Sequence, residues 1–185
     1  MEIDINQKKI SIGDKYQIFT DGVQTNRAAA KLFRFFAEIN LFDTENDFPL
    51  MTIKRRFAFF KAKFDLTRKD GILYEFTTVS FWKSHFQCTA GRDMYDIYAH
   101  RGRKYSVYKN DKQVAWWDKN AVSWFNGDNY KIIADRDCDK ILIISFCLAV
   151  DNYANSDKEK RTVNFNIGRL GPQARKFDAG WQPKY

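Results

Sequence analysis

The first 134 residues read as a succession of short runs in which apolar positions recur every second residue, as at Tyr16 and Ile18. That period is the signature of a strand with one buried face. Turn-forming pairs separate the runs: Asp21-Gly22, Asp70-Gly71, Asn110-Asp111 and Asn126-Gly127. These residue types accept the left-handed backbone of a tight hairpin. About twelve strand-like runs fit between Lys8 and Ala134, at the spacing of an all-β domain.

A weak repeat runs through them. Phe33-Arg34-Phe35-Phe36 is followed by Ile39 and Leu41, and Phe57-Ala58-Phe59-Phe60 by Phe64 and Leu66. Phe81-Trp82 is followed by Phe86 and Cys88, and Trp124-Phe125 by Tyr130 and Ile132. Each unit predicts a hairpin whose aromatic corner tucks inward and whose return strand buries one face. Hairpins repeated in this way favour a closed barrel, because closure removes exposed edge strands.

One segment breaks the alternation. Residues 140–153, beginning at Lys140 and ending at Tyr153, contain ILIISFCLAV, which is apolar on every side. Its Ile and Val content is compatible with a buried strand. Asp137 and Asp139 before it suit the N-terminus of a helix. A helix apolar all round has to be surrounded by protein, and inside a barrel it fills the lumen. As a helix, residues 141–150 would span about 15 Å, against a hydrocarbon core of about 30 Å, so no transmembrane span is expected.

After Ala154 the chain turns polar and basic. Residues 1–155 are expected to form the barrel and its helix, and residues 156–185 a basic C-terminal extension. In that extension Val163, Phe165 and Ile167 alternate as one further strand would, and Phe177 and Trp181 could pack on the outside of the barrel. A partly ordered tail is the alternative.

These residues also carry a family resemblance. The run KYSVYKNDKQVA (residues 104–115) resembles a strand-turn-strand of the tubby C-terminal-like superfamily, in particular its LURP-one-related branch. So do DNYKIIA (residues 128–134) with the following DRDCD, and the early QKKISIGDKYQI (residues 7–18). The closing ILIISFCLAVD (residues 141–151) is similar to that family's final hydrophobic helix. The resemblance covers roughly residues 5–155 and extends distantly to phospholipid scramblases. It implies twelve strands around a central, nearly C-terminal helix. Tubby-type members bind phosphoinositides and plant members are linked to defence. The basic tail departs from the compact family pattern.

Composition narrows the class. A chain of 185 residues that is 44% hydrophobic and 17% aromatic is one folded domain, and its 3 Pro and 9 Gly exclude collagen-like or linker-like sequence. Cys88, Cys138 and Cys147 are odd in number and form no Cys-x-x-Cys, which predicts reduced thiols in a cytoplasmic protein. The opening MEIDINQKKI carries Glu2 and Asp4 and no apolar run, so it is not read as a signal peptide.

Basic residues exceed acidic ones, 31 to 23, for a net charge of +8. The densest cluster is a hairpin. Alternation puts Ile53, Phe57 and Phe59 on one face, with Arg55 at its margin, and Lys54 and Arg56 on the other. In the return strand Ala62, Phe64 and Leu66 face inward, so Lys61 and Lys63 face outward. Lys54, Arg56, Lys61 and Lys63 are therefore the candidate site for an anionic headgroup. Like charges across strands are costly unless an anion screens them, and phosphate does so through charge-assisted hydrogen bonds. The plain alternative is a solvated face with Asp65 pairing with Lys54. A second basic cluster, His100-Arg101-Gly102-Arg103-Lys104, predicts a hairpin turn.

An acidic stretch, Asn126, Asp128 and Asp137, resembles the calcium loop before the last helix of scramblases. Its fifth position is Tyr130, a poor ligand, and Tyr130, Ile132 and Ala134 alternate like an ordinary strand. No metal is therefore assigned. Enzyme motifs are missing: His85 and His100 lie in no metal-spaced cluster, no Gly-x-Ser-x-Gly occurs, and Cys88 and Cys147 sit in apolar contexts that suit structural thiols. Trp116-Trp117 is a single aromatic pair, and the other aromatics fall on buried faces, unlike a single-strand nucleic-acid binder.

The expectation is a mainly β protein, a closed barrel of about twelve strands around one helix. Its expected role is a non-enzymatic module without cofactor, cytoplasmic and peripheral at an anionic membrane surface, with no nucleic-acid partner. A protein-interaction or structural role without lipid, through an unknown protein partner, is the first alternative. An enzyme of unidentified activity is the second.

Overall fold

The computed structural model describes residues 1–10, 13–33, 36–57, 62–80, 85–119, 129–160 and 174–184. Among them, twelve strands precede one helix. The strands are β1 (Glu2–Ile10), β2 (Gly13–Thr20), β3 (Val23–Phe33), β4 (Phe36–Asp43), β5 (Met51–Arg56) and β6 (Lys63–Arg68). They continue as β7 (Leu73–Ser80), β8 (His85–Ala90), β9 (Asp93–His100), β10 (Lys104–Lys109), β11 (Lys112–Asp118) and β12 (Asn129–Ala134), and the helix is α1 (Lys140–Lys160). Every strand pairs antiparallel with its sequence neighbour. β1 closes the barrel on β12, from Glu2 opposite Ile133 to Asn6 opposite Asn129.

Alternation builds the wall. Ile39 and Leu41, Phe64 and Leu66, Phe86 and Cys88, and Tyr130 and Ile132 are all buried, so the return strands of the repeat turn the expected face inward. The first strand begins at Glu2, six residues ahead of the expected start of the strands at Lys8, with Ile3, Ile5 and Gln7 buried. Asp21 and Gly22 (φ 49° and 83°) and Asn110 and Asp111 (φ 48° and 68°) are both left-handed pairs. That is the two-residue turn whose twist matches a hairpin. The corners Arg34-Phe35, Ala58-Phe59-Phe60, Phe81-Trp82 and Trp124-Phe125, the turn Asn126-Gly127, and Val163, Phe165 and Ile167 lie outside the described residues. Phe57, expected inside, is 62% exposed. It follows the last residue of β5, where alternation no longer sets its direction.

The all-apolar segment is a helix. Eight strands make a barrel that side chains alone can fill. Twelve leave room for an element about 10–12 Å across, the width of a helix. A helix satisfies its own backbone groups, whereas a lone strand in the lumen would have no neighbour for them. Residues 142–153 are buried without exception. The helix starts at Lys140, as expected, and continues beyond Tyr153 to Lys160.

Asp139 caps its N-terminus: Oδ1 accepts a bond from the Leu142 amide at 3.0 Å, and the Arg68 guanidinium holds the same carboxylate at 2.6 Å. The Ser145 hydroxyl, fully buried, donates to the Ile141 carbonyl at 2.7 Å. The Phe146 ring stacks on Phe76 at 5.6 Å and tilts against Tyr95 at 5.4 Å. No helix among the described residues is long and apolar enough to cross a membrane. Beyond the helix, residues 174–184 lie against the outside of the barrel, with Phe177 packed on His100 and Trp116 and Trp181 half-buried.

Candidate functional site

The β5–β6 hairpin brings Lys54, Arg56 and Lys63 to one outer face, with side chains 58%, 47% and 40% exposed. Lys61 lies outside the described residues. Arg56 stands directly opposite Lys63 in the ladder. Each described cation has a carboxylate beside it: Lys54–Glu38 at 3.3 Å, Arg56–Asp65 at 2.6 Å and Lys63–Glu75 at 3.3 Å. Asp65 is thus held by Arg56, one step along the diagonal, rather than by Lys54. Lys54 finds Glu38 across the β4–β5 ladder, where the two are in register. Hydrogen bonds from Asn40 and then Lys54 keep the Glu38 carboxyl below its usual range, and Asp65 raises the Arg56 guanidinium further. Alternation along each strand predicted which side the cations take. The acidic partners of Lys54 and Lys63 come from β4 and β7, that of Arg56 from β6 within the hairpin, and all three depend on register. Arg55 points inward, its guanidinium 6.0 Å from the Phe64 ring and 5.9 Å from the Tyr153 ring.

The second basic cluster is a turn, as expected: β9 ends at His100, Gly102 and Arg103 are left-handed, and β10 starts at Lys104. Arg101 and Arg103 are exposed, whereas His100 is 2% exposed. In the acidic stretch, Asn126 and Asp128 lie outside the described residues. Tyr130 is a buried β12 residue opposite Ile5, and Asp137 lies beyond the other end of that strand. Tyr130 and Asp137 therefore do not belong to one continuous ligand loop. Among the described residues no group of three His, Cys, Asp or Glu could hold a metal ion.

Two arrangements escape the sequence pattern. The first is a buried ion pair in the lumen. The Lys119 ammonium lies 2.8 Å from Asp151 Oδ1 on the helix, with side chains 10% and 1% exposed. Tyr16 donates to the other Asp151 oxygen at 3.5 Å, Gln7 donates to the Tyr16 hydroxyl at 3.4 Å, and Lys119 sits 5.4 Å from the Tyr130 ring. Burial, then the Asp151 charge, holds the Tyr105 phenol well above its ordinary range.

The second is a strap, residues 174–184, across the outer face of β9–β11. The Arg175 guanidinium lies 3.7 Å from the Tyr108 ring centre and 5.8 Å from that of Tyr98, and pairs with Asp111 at 2.6 Å. Phe177 meets the His100 and Trp116 rings edge-on at 5.2 and 5.5 Å, and the Lys104 ammonium lies 5.2 Å from it. Beneath it His100 Nε2 and Ser106 Oγ are 2.6 Å apart, and desolvation pushes the His100 imidazole down to about 4. A signal for this cover was present: Tyr95 and Tyr98, Tyr105 and Tyr108, and Trp116 and Trp117 place aromatics on both faces of three adjacent strands. A strand aromatic on both faces is covered on both.

Nothing in these arrangements poises a nucleophile. Burial raises the Cys88 and Cys138 thiols to about 12 and Cys147 well above its ordinary value. His85 Nε2 lies 2.7 Å from Asp96 with its ring stacked on Tyr98. No curated protein and no solved structure gives a significant match to the chain. A sequence model of the LURP-one-related family matches residues 1–151, which span the twelve strands and the helix as far as Asp151. With the closed barrel and its lumen helix already in place, the match establishes that this chain belongs to the LURP-one-related family of tubby-like barrels.

Proposed function

We propose that this tubby-like barrel is a non-enzymatic binding module for anionic headgroups at a membrane surface in the cytoplasm, engaging them through Lys54, Arg56, Lys61 and Lys63. The observation that carries the reading is the register of β5 and β6. Arg56 faces Lys63 across the ladder with both side chains half-exposed, and two cations so placed favour an anion between them. The Lys63–Glu75 pair is an exposed one, which contributes about 0–1 kcal/mol and exchanges readily for phosphate, whereas Asp65 is 20% exposed and holds Arg56 from within the hairpin. The non-enzymatic part rests on the raised thiols and on Ser106 and His100, which are sealed beneath the strap.

The test is sedimentation of the full chain with phosphatidylcholine vesicles, with and without phosphatidylserine. Binding should require the acidic lipid and fade with salt, because exposed charges are screened beyond about 8 Å at physiological ionic strength. Replacing Lys54, Arg56, Lys61 and Lys63 by Gln removes about 1 kcal/mol per cation and leaves Glu38, Asp65 and Glu75 facing the membrane. Binding should fall at least tenfold with the fold intact. Equal binding by the variant would move the site elsewhere. No binding by the unaltered chain would discard the lipid reading in favour of a protein partner.

A further inference from the structure

The strap shows what the outer face of β9–β11 can hold. Outward positions of a barrel strand are ordinarily wet. Here Ser106 is fully buried, His100 is 2% exposed and Tyr108 6% exposed, and the segment lying on them is residues 174–184. Its grip is made by alternate side chains. Arg175 enters a cage of Tyr108, Tyr98 and Asp111, while Phe177 enters a slot between His100 and Trp116 roofed by the Lys104 ammonium. Lys176, between them, is exposed. An extended peptide puts every second side chain on one side, so the groove reads an Arg-x-Phe pattern. Guanidinium stacked on a phenol ring and paired with a carboxylate is specific chemistry that Lys does not reproduce. The groove lies wholly within residues 1–151, the part that matches the family, and the strap lies beyond it.

We propose that the outer face of β9–β11 is a docking groove for a linear polypeptide segment carrying Arg-x-Phe, and that residues 174–184 occupy it in cis as a competing ligand. The groove is separated from the β5–β6 cations by β7 and β8, so the inference stands independently of the headgroup reading. A tethered ligand acts at an effective concentration on the order of millimolar. A partner in trans therefore binds only when it out-competes the strap or when the strap is released.

The experiment uses the full chain carrying Arg175→Ala and Phe177→Ala together, checked for an unchanged circular dichroism spectrum. The probe is a fluorescein-labelled peptide of residues 174–184, followed by anisotropy. The peptide should bind the double variant saturably and the unaltered chain at least tenfold more weakly. The same peptide with Ala at its Arg and Phe positions should bind the double variant at least tenfold more weakly. Arg175→Gln alone, whose partner Asp111 is an exposed turn residue, gives the same ordering if the double substitution unfolds the chain. No saturable binding to either folded variant would overturn the proposal. So would equal binding of the peptide and its Ala-substituted form.

Discussion

Lys119 and Asp151 place a full charge pair inside an apolar lumen, 2.8 Å apart and almost wholly dry. Such a pair adds little net stability, because desolvation offsets the attraction, but removing one member is expensive. Lys119→Met is therefore expected to cost about 3–5 kcal/mol in urea unfolding. The double variant with Asp151→Leu should recover most of it, and a single-variant loss below about 1 kcal/mol would show that the pair is not buried in solution. His100 supplies a pH dependence. Its ring titrates near 6.5 in the unfolded chain and, desolvated beneath Phe177 and Lys104, down at about 4 in the folded one. Between those values the unfolded chain binds more protons. The contribution is thus complete above pH 6.5 and is lost as pH falls toward 4. The melting temperature should drop more steeply below pH 6.5 in the unaltered chain than in His100→Gln. Parallel profiles would mean that the imidazole is solvated.

At the scale of elements, α1 is decisive. Its residues 142–153 leave no wet stripe, so a charge introduced at Ile144, which is fully buried, has no direction in which to reach water. Ile144→Asp is expected to unfold the protein, since an uncompensated buried carboxylate costs several kcal/mol. An unaltered spectrum and melting curve would remove the helix from the centre of the barrel. Much of this element was legible: the cap at Asp139, the apolar run from Ile141 and the start at Lys140 are local. The choice of helix over strand was not local, because Ile141, Ile143, Ile144 and Val150 suit either. The closed sheet decides it by offering no free edge to pair with. The cationic hairpin divides in the same way. The outward direction of Lys54, Arg56 and Lys63 follows from alternation, whereas Glu38 and Glu75 reach them through ladders that no single strand encodes.

For the whole molecule, closure seals the cysteines. Cys88 and Cys147 face the lumen and Cys138 is half-buried beside the helix start, all three unbonded. The shift of Cys88 and Cys138 to about 12 from an ordinary 9 leaves about a thousandfold less thiolate at a given pH. Three thiols should react with Ellman's reagent in denaturant without reductant, and Cys88 and Cys147 should be silent in the native protein. Recovery of a single thiol under denaturing conditions would reveal a disulfide and contradict the arrangement.

Alternation, turn pairs and one all-apolar run determined about twelve strands with one buried face each and one segment buried on every side. Each of these signals is local, carried by side chains whose period fixes the face they bury. Tertiary pairing decided the rest. It set Lys119 against Asp151, gave Lys54, Arg56 and Lys63 their carboxylates, and brought the outer faces of Tyr98, Tyr108 and Trp116 together under Arg175 and Phe177. Those contacts join residues from Tyr98–Arg175 to Lys119–Asp151 that share no period. Only the ladder registers and the path of the strap bring them within reach of one another.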